Sequence, residues 1–298
     1  MRLIESNSNP YIVLLAGILG GATAIICIRS AQDNGMSSLA LATIRQLVAV
    51  AVLAPLVLRV GRDKIASLEP RQWSLIVLAG LMLGAHFVLF FYSLEYAPVL
   101  TSLTLGNTTP FFTALIGWLV LNQAIGRRIL IGAVIALAGI VVVGLAESGG
   151  SPPTRSAPLL GNSLAVGAAM TFAVYFTAGR SVRAKLDWLT YSWLVFCVAS
   201  VGLLVALPLT QTTLLGYTLP AYLWTLGATV LAQIIAHSAF NYALGTLSPT
   251  VVSLILMVIP GLAAILAGIF LEENPGLMAV VGSLIIIVGI MLANLSRD

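Results

Sequence analysis

Charge is scarce in this chain. Asp, Glu, Lys and Arg together make up 8% of 298 residues while 59% are hydrophobic, against about a quarter charged in a soluble domain. A soluble fold is excluded, because too little polar surface exists to cover it. Cysteine is nearly absent: Cys27 and Cys197 both fall inside apolar runs, which excludes a secreted disulfide framework or a zinc quartet and leaves core packing as their role. Histidine occurs only as His86 and His237, so no pair stands at metal-ligand spacing. There is no glycine-rich phosphate loop and no intramembrane aspartate pair. An enzyme is disfavoured, and neither metal nor cofactor is expected. None of the ten carboxylates occupies the middle of an apolar run: Glu5, Asp33, Asp63, Glu69, Glu147, Asp187, Glu272, Glu273 and Asp298 lie in loops, tails or run ends, and Glu95 closes one run. Proton-driven carriers usually expose a titratable carboxylate or histidine on their path, so only the two histidines remain for that role.

What the chain has in abundance is apolar length. A membrane span needs about 20 apolar residues, and reading charges and Gly/Pro clusters as breaks gives ten spans, at about 10–32, 37–59, 72–96, 98–122, 127–146, 158–181, 187–208, 217–244, 247–271 and 275–295. The connections are short, so no soluble domain is attached. Tyr11 to Ile28 continues into a second span without a small-residue cleavage site, which predicts a retained first span. With a cytoplasmic N-terminus, 11 of the 14 basic residues fall inside, leaving Arg29 and Arg155 outside and Arg45 within a span. The asymmetry predicts both termini cytoplasmic and assigns the net charge of +4 to topology, not to nucleic acid. A multi-pass protein of a bacterial-type cytoplasmic (inner) membrane is expected.

Residues 90–145 align on 240–295 at a constant offset of 150, matching Tyr92 with Tyr242, Pro110 with Pro260, Gly126 with Gly276, Gly132 with Gly282 and Gly139 with Gly289. Each segment holds six glycines and three coincide, more than chance placement gives, so a duplicated unit is the economical reading. In the first two spans of each half, Gly20 and Gly167 or Pro55 and Pro208 pair only with shifted offsets. The one linker-like stretch, Ser148 to Ala157, follows the fifth span. Five spans before the seam insert the second half upside down. The expected fold is therefore all-α, with ten transmembrane helices in two inverted five-helix repeats at 1–150 and 151–298. Pro110 and Pro260 lie near mid-span, where each removes a hydrogen bond and presses on the carbonyl four residues earlier. A kink is predicted at both, either as a packing bend or as a hinge. Gly132, Gly139, Gly282 and Gly289 form small-residue stripes suited to close helix packing.

Ala42–Leu47 (ATIRQL), Tyr92–Pro110 (YSLEYAPVLTSLTLGNTTP) with Gly117, Gly132 and Gly139, and Tyr242–Pro260 with Gly268, Glu272, Gly282 and Gly289 resemble the drug/metabolite transporter superfamily. The likeness is to its ten-helix EamA-type exporters, and within them to the aromatic amino-acid exporter group. It covers nearly the whole chain. One departure stands out: the family commonly ends its fourth helix with glutamate, where this chain has Asn122, while the second half keeps Glu272.

The polar residues inside spans supply the candidate site. Gln233, His237 and Asn241 stand at i, i+4 and i+8 in the eighth span and share one helix face. Burying them against lipid would cost several kcal/mol, so that face points to the interior, as a hydrogen-bonding stripe between helices or as the lining of a path. His86 is central in the third span, and Asn107 sits beside the first proline kink. Tyr175 lies too deep for an interfacial belt, while Tyr92 and Trp224 lie near these groups; Trp73, Trp188, Trp193 and Tyr222 read as interfacial anchors. Arg45 either holds a substrate carboxylate with its fork or locks neighbouring carbonyls. The resemblance favours the second role, since the family shares such an arginine across different substrates.

The expected activity is export of small amphiphilic metabolites, amino acids including aromatic ones, by alternating access around a central cavity. His86, Asn107, Gln233, His237, Asn241 and Arg45 would supply polar contacts, with Tyr92 and Tyr175 as apolar walls. Downhill flux is the default and histidine-mediated proton exchange the coupled option. The expected partners are a small-molecule substrate and the bilayer, and the oligomeric state is left open, a monomer included. A carrier for sugar nucleotides or drugs is the alternative, disfavoured because a single intramembrane arginine and no buried carboxylate are available. A channel is less favoured still.

Overall fold

The computed structural model describes residues 8–97, 99–121, 126–146, 157–270 and 277–294. The linker at 148–156, Asn122 and Glu272 lie outside them. No strand occurs among the described residues, and six helices are long and apolar enough to cross a membrane. In order, the helices are α1 (Pro10–Asp33), α2 (Ser38–Val60), short α3 (Arg62–Ala66), α4 (Pro70–Tyr96), α5 (Val99–Gly106), α6 (Thr109–Leu121), α7 (Arg127–Ala146), α8 (Pro158–Arg183), α9 (Trp188–Leu209) and α10 (Leu219–Ala228). A π-helical segment (Thr229–His237) then runs into α11 (Ser238–Ala243), followed by α12 (Pro249–Leu256), α13 (Val258–Phe270) and α14 (Leu277–Asn294).

Sequence chemistry sets the ends. Asn9 Oδ1 accepts from the Tyr11 N–H at 3.0 Å with Pro10 in the first turn, and Thr218 Oγ1 accepts from the Ala221 N–H at 3.3 Å. Ser37 caps α2 through the Ala40 N–H at 3.3 Å, and Asp187, 150 residues on, caps α9 through the Thr190 N–H at 3.0 Å. Such caps satisfy donors that the first turn leaves open. The same offset relates the ends of α1 and α8 (Asp33, Arg183), the starts of α2 and α9 (Ser38, Trp188), both ends of α5 and α12, and the starts of α7 and α14. Element boundaries thus carry the repeat into the first two spans of each half, where residue identities align only loosely.

The spans that carry Pro110 and Pro260 are both broken, whereas α2 and α9 run on through Pro55 and Pro208. α5 ends at Gly106 and α12 at Leu256, each four residues before its proline, where the ring displaces the partner of that carbonyl. Around the breaks the chain tightens to three-residue bonds, Thr108 N–H to Leu105 O at 3.1 Å and Met257 N–H to Leu254 O at 3.1 Å. The feature is a break, sharper than the predicted kink.

The helices form two compact units, Met1–Ala85 with Ala178–Ser248, and His86–Thr177 with Pro249–Asp298; the divisions fall inside α4 and α8. Each unit takes helices from both sequence halves. In the first, α1 lies along the eighth span at two glycines: a Cβ on Gly17 would stand 2.9 Å from Ala239 Cβ, and one on Gly20 2.8 Å from Leu231 O. α2 meets α9, where Trp193 Nε1 donates to Val50 O at 3.1 Å, so this tryptophan binds a neighbouring helix besides any interfacial role. In the second unit α7 and α14 cross backbone to backbone. A Cβ on Gly139 would stand 2.7 Å from Gly282 O, and one on Gly289 2.5 Å from Gly132 O. Advancing along α7 from Gly132 to Gly139 means retreating along α14 from Gly289 to Gly282, so the two helices are antiparallel. Ala136, Leu254, Met257 and Ile286 fill the core beside this crossing. Outward faces carry apolar side chains such as Ile12, Leu15 and Leu19 of α1 and Val201 and Val205 of α9, as a lipid-facing surface does.

Candidate functional site

The first unit buries a polar group in the middle of its spans. Arg45 on α2 is 2% exposed and donates from Nη2 to Gln233 Oε1 at 3.2 Å. Gln233 is 0% exposed, and its Nε2 has no hydrogen-bond partner among the described residues. Gln233 and His237 both fall in the π-helical segment and Asn241 in α11, so the expected α-helical spacing is replaced by a wider turn. All three nevertheless remain buried. π-Helical hydrogen bonding is rare, and where it interrupts an α-helix as a single-turn bulge it is frequent at functional sites. His237 lies against Phe240, with ring centroids 5.5 Å apart.

Asn241 is committed to the scaffold. Its Nδ2 donates to Ser192 Oγ at 2.9 Å, and its carbonyl accepts from Arg183 Nε at 2.7 Å. Arg183 also donates to Leu186 O, and Arg180 Nη1 donates to Leu244 O and Gly245 O at 2.8 and 2.6 Å. Two guanidinium groups thereby take up the last carbonyls of the eighth span, where cations also suit the helix dipole. In the same unit the buried hydroxyls of Thr43, Thr225 and Thr229 each donate to the carbonyl four residues back.

Gln46, absent from the sequence-based set, belongs to the same unit. It is 0% exposed, and neither Oε1 nor Nε2 finds a partner among the described residues. The signal that marks it in the sequence is an amide directly after Arg45 in an otherwise apolar run.

The second unit holds the aromatic members. His86 is half-buried on α4, with Nδ1 3.0 Å from Ala168 O on α8 and its ring stacked on Phe172 at 4.4 Å between centroids. Phe172 continues to Tyr175 at 5.4 Å and Phe176 at 4.3 Å. Tyr175 is 0% exposed, which places it inside the packing of α8. Asn107 lies in the α5–α6 break, where its Nδ2 and its backbone N–H both donate to Leu103 O, at 2.6 and 3.0 Å. Tyr92 is half-buried on α4. Trp224 is 41% exposed on the apolar surface and does not join the polar group. Arg45, Gln233, His237 and Asn241 therefore share one unit, and His86, Tyr92, Asn107 and Tyr175 the other. Among the described residues no three His, Cys, Asp or Glu side chains gather as a metal site would require.

Comparison with known proteins matches this arrangement to transporters. The sequence model of the EamA-like transporter family fits residues 9–145 and again 159–295, two matches related by the same 150-residue offset. An "Uncharacterized transporter" of Archaeoglobus fulgidus is 26% identical over 291 residues, covering 96% of this chain and 97% of its own. A protein of Streptantibioticus cattleyicolor named "Probable terminal-alkyne amino-acid exporter" is 26% identical, with 96% and 94% covered. A solved crystal structure superposes with TM-score 0.77 at 17% identity, covering 96% of both chains, a likeness of fold alone.

Proposed function

This chain belongs to the EamA-like transporter family, and from that premise we propose that it is a ten-span secondary carrier that exports small amphiphilic metabolites, above all amino acids including aromatic ones, by alternating access. In this reading 1–150 and 151–298 are inverted five-helix repeats and both termini are cytoplasmic. The observation that carries it is the buried polar group at mid-span, in which Gln233, His237 and Arg45 stand among apolar helices. Polar side chains kept at that depth are expensive and mark solute paths. Support for the inversion comes from α7 and α14, equivalent at the 150-residue offset and antiparallel at their glycine crossing. Support for amino acids comes from the Streptantibioticus cattleyicolor relative and from the amide, imidazole and guanidinium groups, which suit a zwitterion. The π-helical segment and the two proline breaks provide backbone able to rearrange during exchange.

The test is counterflow of labelled phenylalanine by purified protein in liposomes, with competition by a panel of amino acids. Saturable, trans-stimulated flux is expected, as are losses of about tenfold or more for Gln233→Leu. Competition by other metabolites with none by any amino acid would overturn the substrate class, and flux that neither saturates nor responds to trans substrate would overturn the carrier.

A further inference from the structure

Gln233 is a buried amide whose orientation is decided by its neighbour. A guanidinium only donates, so the amide oxygen has to face Arg45, and the 3.2 Å bond from Nη2 to Oε1 holds it there. The –NH2 end is thereby turned away with two hydrogens to give. It is fully buried, and Nε2 makes no hydrogen bond among the described residues. A donor in that state costs free energy, and the chain keeps it beside a guanidinium at mid-span, within π-helical backbone.

We propose that Arg45 and Gln233 together form a carboxylate-reading pair: the acceptor for Gln233 Nε2 is a carboxylate oxygen of the transported solute, alongside the guanidinium charge of Arg45. The inference rests on the transport reading and narrows its substrate class to solutes bearing one carboxylate. Charge matching selects this class. One guanidinium corresponds to one carboxylate, and an amide N–H next to an arginine fork suits the two-oxygen edge of that group. A phosphate dianion calls for more than one fixed cation, and Arg45 is the only Lys or Arg in the interior of a predicted span. The amide also serves selectivity: a solute with a carboxamide in place of the carboxylate brings no charge to the pair, and an amine brings charge of the wrong sign.

The experiment compares three matched probes in counterflow by reconstituted protein: phenylalanine, phenylalaninamide and 3-phenylpropionate. The native chain is expected to favour both carboxylates over the amide. Gln233→Glu keeps an oxygen acceptor for Arg45, which preserves the local fold, but removes the donor and adds a repelling charge. It should weaken phenylalanine and 3-phenylpropionate by about 10- to 100-fold and leave phenylalaninamide within about threefold. Gln233→Met, uncharged and of similar volume, should also erase the preference for carboxylate over carboxamide. Equal handling of phenylalanine and phenylalaninamide by the native chain overturns the carboxylate pair and leaves the carrier standing. So does unchanged carboxylate affinity in both variants. Failure of the native chain to carry any of the three probes overturns the pair, and the carrier reading then stands or falls with the wider amino-acid panel.

Discussion

At the residue scale, Gln46 poses the sharpest energetic question. Two polar atoms are buried without partners among the described residues, and each such atom costs about 1–3 kcal/mol. Gln46→Leu should therefore raise the melting temperature of the detergent-solubilised protein, by an amount corresponding to about 1–3 kcal/mol, while lowering counterflow. Stabilisation with full activity would show the amide to be idle. The residue was legible as an amide in an apolar run. Its burial was not, because α2 is apolar nearly all round and no stripe reveals which face turns inward. Asp187 is a second residue with a measurable contribution. Burial raises its pKa, but the Thr190 N–H and the Lys64 ammonium outweigh burial and hold the carboxyl below the ordinary aspartate value. A depressed folded-state pKa contributes stability that is complete above the unfolded value near 4 and lost as pH falls through the folded one. Asp187→Asn keeps a good helix cap and removes the charge, which lies 3.0 Å from Lys64 Nζ with the lysine side chain 42% exposed. It should cost no more than about 1 kcal/mol and flatten the acid limb of the stability–pH curve below about pH 4. Asp187→Ala loses the cap as well and should cost about 1 kcal/mol more.

At the scale of the element, the broken spans were legible and the π-helix was not. Proline acts locally: the missing donor and the pressed carbonyl lie at a fixed spacing, so Pro110 and Pro260 point to Gly106 and Leu256, where the helices end. Nothing comparable announces Thr229–His237. One extra residue in each hydrogen-bonded ring leaves no mark on a sequence whose apolar residues cover most of the helix surface. The segment is held by packing, with Gly20 of α1 so close that an added Cβ would stand 2.8 Å from Leu231 O. Gly20→Ala meets backbone there and should destabilise by about 1–3 kcal/mol, read as a lowered melting temperature. Pro110→Ala acts in the opposite sense. It restores the N–H that Gly106 O can accept, so the break between α5 and α6 should close. The variant should melt at a higher temperature and exchange substrate more slowly, because a continuous helix removes backbone freedom that the break supplies.

At the scale of the whole molecule, the repeat was readable from the last three spans of each half, where proline and glycine fix positions that packing cannot shift. The first two spans of each half became legible only through their ends, since apolar residues interchange freely and only caps and turns keep register. The compact units were hidden for a different reason: an offset in sequence identifies equivalent helices and says nothing about which of them pack together. Inversion makes a demand that parallel duplication does not. The turn after α1 and the turn after α8 are equivalent, Asn34 corresponding to Ala184, and both residues are exposed. In the proposed ten-span arrangement five spans separate the two positions, so equivalent turns would face opposite sides of the membrane, with Asn34 outside and Ala184 in the cytoplasm beside the basic residues Arg180, Arg183 and Lys185. In a background of Cys27→Ala and Cys197→Ala, Asn34→Cys should react with a membrane-impermeant maleimide added to intact cells. Ala184→Cys should react only after permeabilisation. Labelling of both from the same side would mean an even number of crossings between them, and two such halves could not exchange roles across the bilayer as alternating access requires.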